Sequence, residues 1–364
     1  MNLEAEISRT DLQGVETPAS ATITDAQQLS SYNYIDKVQD KLNIVVPGSP
    51  NLWLPPRAHG QLEKDTGLIY IDQHATRHPR YPLETLFRAL YESQPAFDIT
   101  STDVITDRNN IRKLLNFVSY QKRENFTIFV EVINNTVLLG RHEPVTHQVA
   151  GANPFRGYGH SFEKEYIQPL IKGSTGHYRI ISYNFAGMKM IVRHETDGYI
   201  DETDAPAERD ENAEFDNYHD LSPAETASNN KEILVYKGGE RIPLSSTLEI
   251  KTRVRHKEIA FEDVAPQLWA SQTPKLVCAY HHKGNFSAPT VEDVSDKLLD
   301  WEKQKQEDLR KLAGLIVKIR ELVRKQGGKA VLKYDDRSDR LGFWTPEGDA
   351  RKMLPGDLYD RFER

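Results

Sequence analysis

The sequence predicts a mixed α/β fold built around a mixed β-sheet. Two pairs of alternating apolar segments, 126–140 and 177–194, indicate β-hairpins. Residues 83–93, 108–118 and 295–326 carry apolar side chains at helical spacing. The chain has no internal repeat. Hairpins interspersed with helices in this order are typical of one α/β domain.

The remaining elements follow from the same periodicities and from the turn residues that separate them. We predict strands at 43–55 (broken by Pro-Gly), 67–72, 231–237, 245–255 and 275–280, helices at about 162–172 and at 261–271, and a closing hairpin at 329–344. The two inner hairpins are expected to turn at Asn134-Asn135 and Ala186-Gly187, and the long helix to run from a Ser295 cap to Gly327-Gly328. Residues 1–30 are polar and aperiodic, which predicts a flexible tail before a single domain over 31–364.

The net charge of −7 is concentrated in one stretch. Residues 201–230 hold ten acidic residues and one basic residue, a local charge of −9, and taking this from the total leaves +2 for the rest of the chain. Few apolar residues occur there, so we predict a mobile acidic insertion. The remainder can still present a basic groove, because net charge bears on partners rather than on fold.

The lone cysteine and the hydropathy pattern exclude several classes of protein. Cys278 has no second cysteine with which to form an intramolecular disulfide or a cysteine zinc site. No apolar run approaches the roughly 20 residues of a membrane helix, and the acidic start of the chain, with Glu4 and Glu6, does not resemble a secretory signal. We therefore expect an intracellular protein, in the nucleus or the cytoplasm, that does not act in a membrane.

Two short acidic segments are candidates for the chemistry. In a strand, residues i and i+2 point to the same face, so Glu195 and Asp197 are expected to project together, as are Glu249 and Lys251. These pairs would place three carboxylates and one ammonium on one patch, and the carboxylates repel one another unless they protonate or bind a cation. Ligation by oxygen alone favours Mg²⁺ or Mn²⁺ over zinc.

Each pair alone is most often part of a solvated strand face with a cross-strand ion pair. The combination changes this balance, because Glu163 follows a glycine-rich segment and Gln267 lies in the helix after Lys251. Two cations held by such carboxylates can activate water and stabilise the leaving oxygen in phosphodiester cleavage. Lys251 would orient the water or stabilise charge on the transferring phosphate.

The ordered set of these motifs resembles a known family, the decapping exoribonucleases of the DXO/Rai type, whose site is of the P-D-(D/E)-x-K nuclease kind. The motifs that carry the resemblance are Gly157 to Phe162-Glu163, Glu195-Thr196-Asp197, Glu249-Ile250-Lys251-Thr252, the glutamine helix leading through a proline to a strand at 263–280, and the arginine before a Lys-Leu-Leu helix at 105–118. The resemblance to this family covers roughly residues 30–350. The chain also resembles fungal proteins labelled geranylgeranyl pyrophosphate synthetase.

The resemblance implies two mixed sheets with surrounding helices and an active site in the cleft between them. It further implies that the metals, two ions of Mg²⁺ or Mn²⁺, are bound by Glu163, Asp197, Glu249 and the main-chain carbonyl of Ile250. Four other side chains would complete the site: Glu195 acting directly or through a metal-bound water, Lys251 and Gln267 holding the scissile phosphate and the water, and Arg108 contacting an RNA phosphate.

The implied activity is hydrolysis at RNA 5′ ends. Such enzymes remove triphosphate, incomplete caps or NAD caps, and some then degrade the RNA from 5′ to 3′. Two alternatives stay open. Some members bind and stabilise an Xrn-type exoribonuclease, so a non-catalytic partner is one; a DNA exonuclease is the other, since nothing in the residues reads a 2′-hydroxyl.

The prenyl-synthase label fails on the residues. Its motif would be Asp335-Asp336-x-x-Asp339, but a prenyl synthase needs two such motifs facing each other on long helices. Here there is one, in an expected turn between strands, where aspartates serve as turn formers.

Overall fold

The computed structural model describes residues 2–38, 41–55, 60–120, 123–150, 157–202, 232–346 and 352–363. Nearly all of the predicted acidic insertion at 201–230 lies outside these ranges. None of the described helices is long and apolar enough to cross a membrane.

The described strands are numbered in chain order. They are β1 (Leu3–Ser8), β2 (Ile23–Val38), β3 (Lys41–Pro47), β4 (Leu52–Trp53), β5 (Gly67–Tyr70), β6 (Val104–Asp107), β7 (Phe126–Ile133), β8 (Thr136–His142), β9 (His147–Ala150), β10 (Ile167–Gln168), β11 (Ser174–Phe185), β12 (Met188–Glu195), β13 (Gly198–Tyr199), β14 (Ile233–Gly238), β15 (Thr247–Val254), β16 (Lys275–His282), β17 (Asn285–Phe286), β18 (Thr290–Asp293), β19 (Lys329–Asp335) and β20 (Arg340–Trp344).

The described helices are numbered in the same way. They are α1 (Gln73–Arg77), α2 (Glu84–Ser93), α3 (Arg108–Ser119), α4 (Gly159–Tyr166), α5 (Phe261–Ser271), α6 (Ser295–Gln304), α7 (Gln306–Lys325) and α8 (Gly356–Tyr359).

Two mixed sheets carry the fold. Within the described residues, the larger has eleven strands in the order β1-β20-β19-β7-β8-β6-β12-β11-β2-β3-β14, and the smaller runs β10-β4-β13-β15-β16-β17 with β18 beside β16. Parallel pairing occurs in both, at β6–β8, β6–β12 and β3–β14 in the larger sheet and at β4–β13 and β15–β16 in the smaller. The mixed α/β class that the sequence predicted and the two-sheet architecture that the resemblance implied are confirmed.

The centre of the larger sheet is buried on both faces. Val104 and Leu139 belong to one apolar cluster, which also contains residues of α3, α5 and α7, whereas their chain neighbours Ile105 and Leu138 belong to a second cluster with residues of α2. Alternate residues of a strand point to opposite faces, so both faces are covered. Such strands appear in sequence as continuous apolar runs.

Most predicted elements are present. The hairpins turn at Asn134-Asn135, at Ala186-Gly187 and over Asp336–Asp339, and the last of these confirms that the aspartate motif forms a turn. Backbone N–H groups of Arg337 and Ser338 donate to the Asp335 carboxylate there. The helix predicted over 261–271 has those bounds.

Three predictions about element boundaries were wrong. The helix expected over 162–172 is α4, which begins at Gly159 and ends at Tyr166, because the chain then pairs with β4 as β10. The helix expected over 295–326 is interrupted at Lys305 and forms α6 and α7. Ser295 does not cap it: its hydroxyl donates to the Asp293 carboxylate instead.

The prediction of a flexible tail over residues 1–30 was also wrong. Strand β1 pairs with β20 at the edge of the larger sheet, and β2, which begins at Ile23, pairs with β11 and β3 inside it. Polar side chains of β2 are hydrogen-bonded in the interior. The Ser30 hydroxyl donates to the Ala89 carbonyl, and the Asn33 side chain forms hydrogen bonds with the backbone of Ser49.

Arg9 holds the N-terminal segment to the domain. Its guanidinium is buried, lies 2.8 Å (Nε to Oδ1) from Asp339, donates to the Tyr334 hydroxyl at 2.8 Å and stacks over the Phe117 and Tyr120 rings. Breaking a buried ion pair by removing one partner costs about 3 kcal/mol.

We therefore predict that Arg9→Ala lowers the free energy of unfolding in urea by about 3 kcal/mol. Arg123→Ala is the matched control, because Arg123 approaches the same Asp339 at 3.6 Å but is 60% exposed; its effect should stay below about 1 kcal/mol. Equal midpoints for Arg9→Ala and the unmodified protein would show that the N-terminal segment is not anchored in this way.

Candidate functional site

Glu249 is the centre of the candidate site. It lies in β15, is 3% exposed, and accepts hydrogen bonds from Lys251 Nζ at 2.5 Å, Arg108 Nη1 at 3.1 Å and Gln267 Nε2. Burial alone would raise the pKa of Glu249, but the charges and hydrogen bonds of Lys251 and Arg108 lower it to about 2. The prediction that Glu249 and Lys251 project from one strand face is confirmed by this contact.

The three donors to Glu249 come from three elements. Arg108 is the first residue of α3, directly after β6, and Gln267 lies in the buried part of α5. Helices α3 and α5 pack together beneath the larger sheet, whereas β15 belongs to the smaller sheet. The site therefore joins the two sheets.

Asp197 also lies in this cluster, but it is not positioned as the sequence predicted. Strand β12 ends at Glu195, so Asp197 is not part of it and the same-face argument does not apply. Its position is fixed instead by the Ile250 N–H, which donates to Asp197 Oδ2 at 2.7 Å. Burial raises the pKa of Asp197 well above its ordinary value, and the charges of Glu249 and Glu163 raise it further.

Glu195 ends β12, and its side chain is exposed to the cavity that it lines. Burial and the charge of Glu163 raise the pKa of Glu195 to about 7, with Arg108 acting in the opposite direction. Glu195 is therefore partly protonated near neutral pH when no cation is bound, unlike Glu249.

Glu163 enters from α4. This helix is fixed by Ser161, whose N–H donates to Asp65 Oδ1 at 2.8 Å, and by Phe162, which is buried against aromatic side chains of the smaller sheet. His160 Nδ1 lies 3.8 Å from Glu163 Oε2. Their interaction raises the pKa of His160 and so favours its protonated form beside this carboxylate.

A cavity of about 710 Å³ opens in front of these residues. Glu163, Glu195, Asp197 and Arg108 line it, whereas Glu249, Lys251 and Gln267 are not among its lining residues and connect to it through Arg108. The predicted site residues thus form one cluster, with three carboxylates facing the cavity and one carboxylate held by nitrogen donors. Ile250 contributes its N–H; the metal-binding role of its carbonyl stays a prediction.

The sequence did not reveal three further arginines of the cavity wall, Arg112, Arg141 and Arg193. Arg112 follows Arg108 by four residues on α3, a spacing that places both on one helix face, and this signal was available. Arg141 comes from β8, next to β6 in the sheet, and only the strand pairing places it here.

The carboxylates are a suitable donor set for a divalent cation, but they are not arranged as a finished metal site. No group of three or more acidic, histidine or cysteine side chains within the described ranges has the geometry to hold a metal. Glu249 is instead bonded to Arg108, Lys251 and Gln267. Burial, together with the charges of Glu163 and Glu249, raises the pKa of both Asp197 and Glu195, and a hard cation bound by oxygen ligands would compensate this negative charge.

The pKa of Glu195 gives a prediction for the metal-free protein. A group whose pKa is raised on folding binds its proton more tightly in the folded state, so its contribution to stability is lost as pH rises from its ordinary 4.5 to about 7. Glu195→Gln should therefore flatten the decline of the unfolding free energy over this range. Glu165→Gln, on the exposed side of α4, is the control. Parallel curves for Glu195→Gln and the unmodified protein, both in a chelator, would contradict the assignment.

Solved structures with the same fold cover nearly the whole chain. Scheffersomyces stipitis Rai1, crystallised with (3′-NADP)⁺ and a calcium ion, superposes with a TM-score of 0.62 at 11% identity, covering 100% of this chain and 99% of its own. Candida albicans Rai1 in complex with pU5-Mn²⁺ gives 0.60 at 12% identity, covering 99% of each chain. S. pombe Rai1 gives 0.59 at 11% identity, covering 93% of this chain and 98% of its own. The fold implied by the sequence resemblance is confirmed.

Sequence comparison finds fewer relatives than the comparison of structures. A comparison with curated proteins finds no significant match. A family model described as a domain of unknown function, DUF8563, matches residues 6–362. The chain belongs to the DUF8563 family.

Proposed function

We propose that this chain is a divalent-metal-dependent hydrolase that acts on the 5′ end of RNA. The observation that carries the proposal is the convergence of Glu163, Glu195, Asp197 and Glu249, with Lys251 close by, at one end of a cavity that also presents arginines. Support for the substrate comes from the Rai1 structures of the same fold, which contain pU5 with Mn²⁺ and (3′-NADP)⁺ with calcium. Decapping, release of pyrophosphate and NAD-cap removal are the reactions proposed, with 5′–3′ exonuclease action as an accompanying one.

The residues that would hold the metal are Glu163, Asp197, Glu249 and the Ile250 carbonyl, with Glu195 acting directly or through water. Two Mg²⁺ or Mn²⁺ ions would lower the pKa of an attacking water and neutralise charge on the leaving oxygen. Oxygen ligands are the kind that these ions prefer.

The protein's own groups then position the phosphate. Lys251, Arg108 and Gln267 all donate to Glu249 in this structure. If a bound cation shared the charge of Glu249, these three donors would be available to the non-bridging oxygens of a phosphate. Fixed donors aimed at developing negative charge stabilise the transition state, and the charge of Glu249, together with that of Asp197, keeps the pKa of Lys251 raised despite burial.

We predict that Asp197→Asn and Glu249→Gln each reduce Mn²⁺-dependent hydrolysis of 5′-end-labelled RNA by at least about 100-fold. Both changes keep the shape of the side chain and remove a charge that would bind the cation. Glu165→Gln should retain full activity, because Glu165 is exposed on α4 away from the cluster. Unimpaired hydrolysis by both folded site variants would refute the metal site.

The substrate class is tested by one panel of 5′-triphosphate, NAD-capped, methyl-capped and 5′-monophosphate RNAs and single-stranded DNA, with products resolved by length. We expect release of the 5′ terminal group from RNA. Equal degradation of DNA would support the DNA exonuclease alternative. No turnover of any substrate, together with an increased thermal stability of an added Xrn-type exoribonuclease, would support the non-catalytic partner.

A further inference from the structure

Three of the four arginines that line the cavity come from α3 and β8. Arg108 and Arg112 lie four residues apart on α3, and Arg141 lies on β8, which pairs with the strand leading into α3. Residues at this helical spacing are neighbours about 5–6 Å apart. The wall beside the candidate catalytic cluster is therefore strongly basic, although the chain as a whole is acidic.

Two of these arginines already have anionic partners. Arg108 donates to Glu249, and Arg141 Nε lies 2.9 Å from Glu143 Oε1 and 3.8 Å from Asp72 Oδ2. Glu143 is held in turn by Lys113 at 2.7 Å. Arg141 is thus fixed in place by its own network, and its charge is largely compensated.

Arg112 differs from both. It has no hydrogen bond or ion pair with any residue that the structure describes. Burial lowers the pKa of Arg112, and the charges of Arg108 and Arg141 lower it further, whereas the more distant charges of Glu249 and Glu124 act in the opposite direction. A half-buried cation beside like charges is unfavourable unless an anion compensates it. Among the described residues, no carboxylate pairs with Arg112 directly, and the Arg112 side chain faces the cavity.

We propose that Arg112 binds a phosphate group of the substrate that is adjacent to the phosphate undergoing hydrolysis. The substrate class rests on the proposed function. A guanidinium matches phosphate oxygens with paired, charge-assisted hydrogen bonds. Arg112 lies one helical turn beyond Arg108, which touches Glu249, so its phosphate sits beside the reacting centre and not within it. The phosphate is either the 5′-terminal one or a linkage within the strand.

The test measures binding of a short 5′-phosphorylated oligouridylate to the full chain in a chelator, by fluorescence anisotropy over a range of salt concentrations. Arg112→Gln should weaken binding about tenfold, the value of one charge-assisted hydrogen bond. It should also reduce the slope of log affinity against log salt by about 0.7, the contribution of one phosphate contact on a single strand. Arg123→Gln, an equal charge change at an exposed site outside the cavity lining, should change neither value.

Arg112→Lys separates charge from geometry and covers the case in which Arg112→Gln does not fold. It should keep the salt slope but lose part of the affinity, because an ammonium cannot make two parallel bonds. The source of the phosphate is identified with a 5′-hydroxyl oligonucleotide and with neutral methylphosphonates at single linkages. The effect of Arg112→Gln should disappear on whichever ligand lacks the contacted charge.

Unchanged affinity and salt slope in Arg112→Gln would overturn the proposal, even if the chain hydrolyses RNA. The proposal would also be overturned if Arg112→Gln weakened binding of the 5′-hydroxyl oligonucleotide and of every methylphosphonate ligand equally. Such a result would indicate a general electrostatic attraction of the strand and no contact with one phosphate. Weaker binding by Arg112→Gln in a protein that hydrolyses no RNA with Mn²⁺ would uphold the subsite and refute the hydrolytic function.

Discussion

The buried carboxylate of Glu249 is the constraint around which the two sheets are assembled. A charged carboxylate with 3% exposure is unfavourable unless its oxygens are hydrogen-bonded and its charge is paired. The donors that satisfy it come from α3, β15 and α5. Because α3 and α5 pack against the larger sheet while β15 belongs to the smaller one, stabilising this one group also fixes how the sheets meet.

The neighbouring carboxylates have no comparable set of donors. Asp197 receives one backbone N–H, and Glu195 faces the cavity, so burial and like charge raise the pKa of both. The cluster therefore contains one carboxylate, Glu249, whose charge is compensated by three donors, beside carboxylates whose negative charge is not compensated. Uncompensated carboxylates destabilise the metal-free protein, and a bound cation would compensate them. Groups with perturbed pKa values of this kind concentrate at functional sites.

The sequence was sufficient where structure depends on local pattern. The hairpins at Asn134-Asn135 and Ala186-Gly187 and the helix α5 follow from periodicity and turn residues that act within a few positions. The pairing of Glu249 with Lys251 likewise follows from the two-residue repeat of a strand.

Other features depend on contacts between distant residues, which periodicity does not record. The polar side chains of β2 are satisfied by Ala89 and Ser49, so a strand inside the sheet looked like a flexible tail. Asp197 lies beyond the end of its strand and is placed by Ile250, 53 residues away. A binding role for Arg112 could not be predicted from the sequence, because it depends on the cavity that Arg112 lines together with Arg141.

The central claim is that these carboxylates form a divalent-cation site, and calorimetric titration of Mn²⁺ into the metal-free protein near pH 7 tests it most directly. We expect saturable binding whose heat depends on the ionisation enthalpy of the buffer, because the cation displaces protons from Glu195 and Asp197. Asp197→Asn should weaken binding at least about tenfold, a loss of about 1.4 kcal/mol or more, and Glu165→Gln should not. No saturable binding, or equal affinity in Asp197→Asn and the unmodified protein, would contradict it.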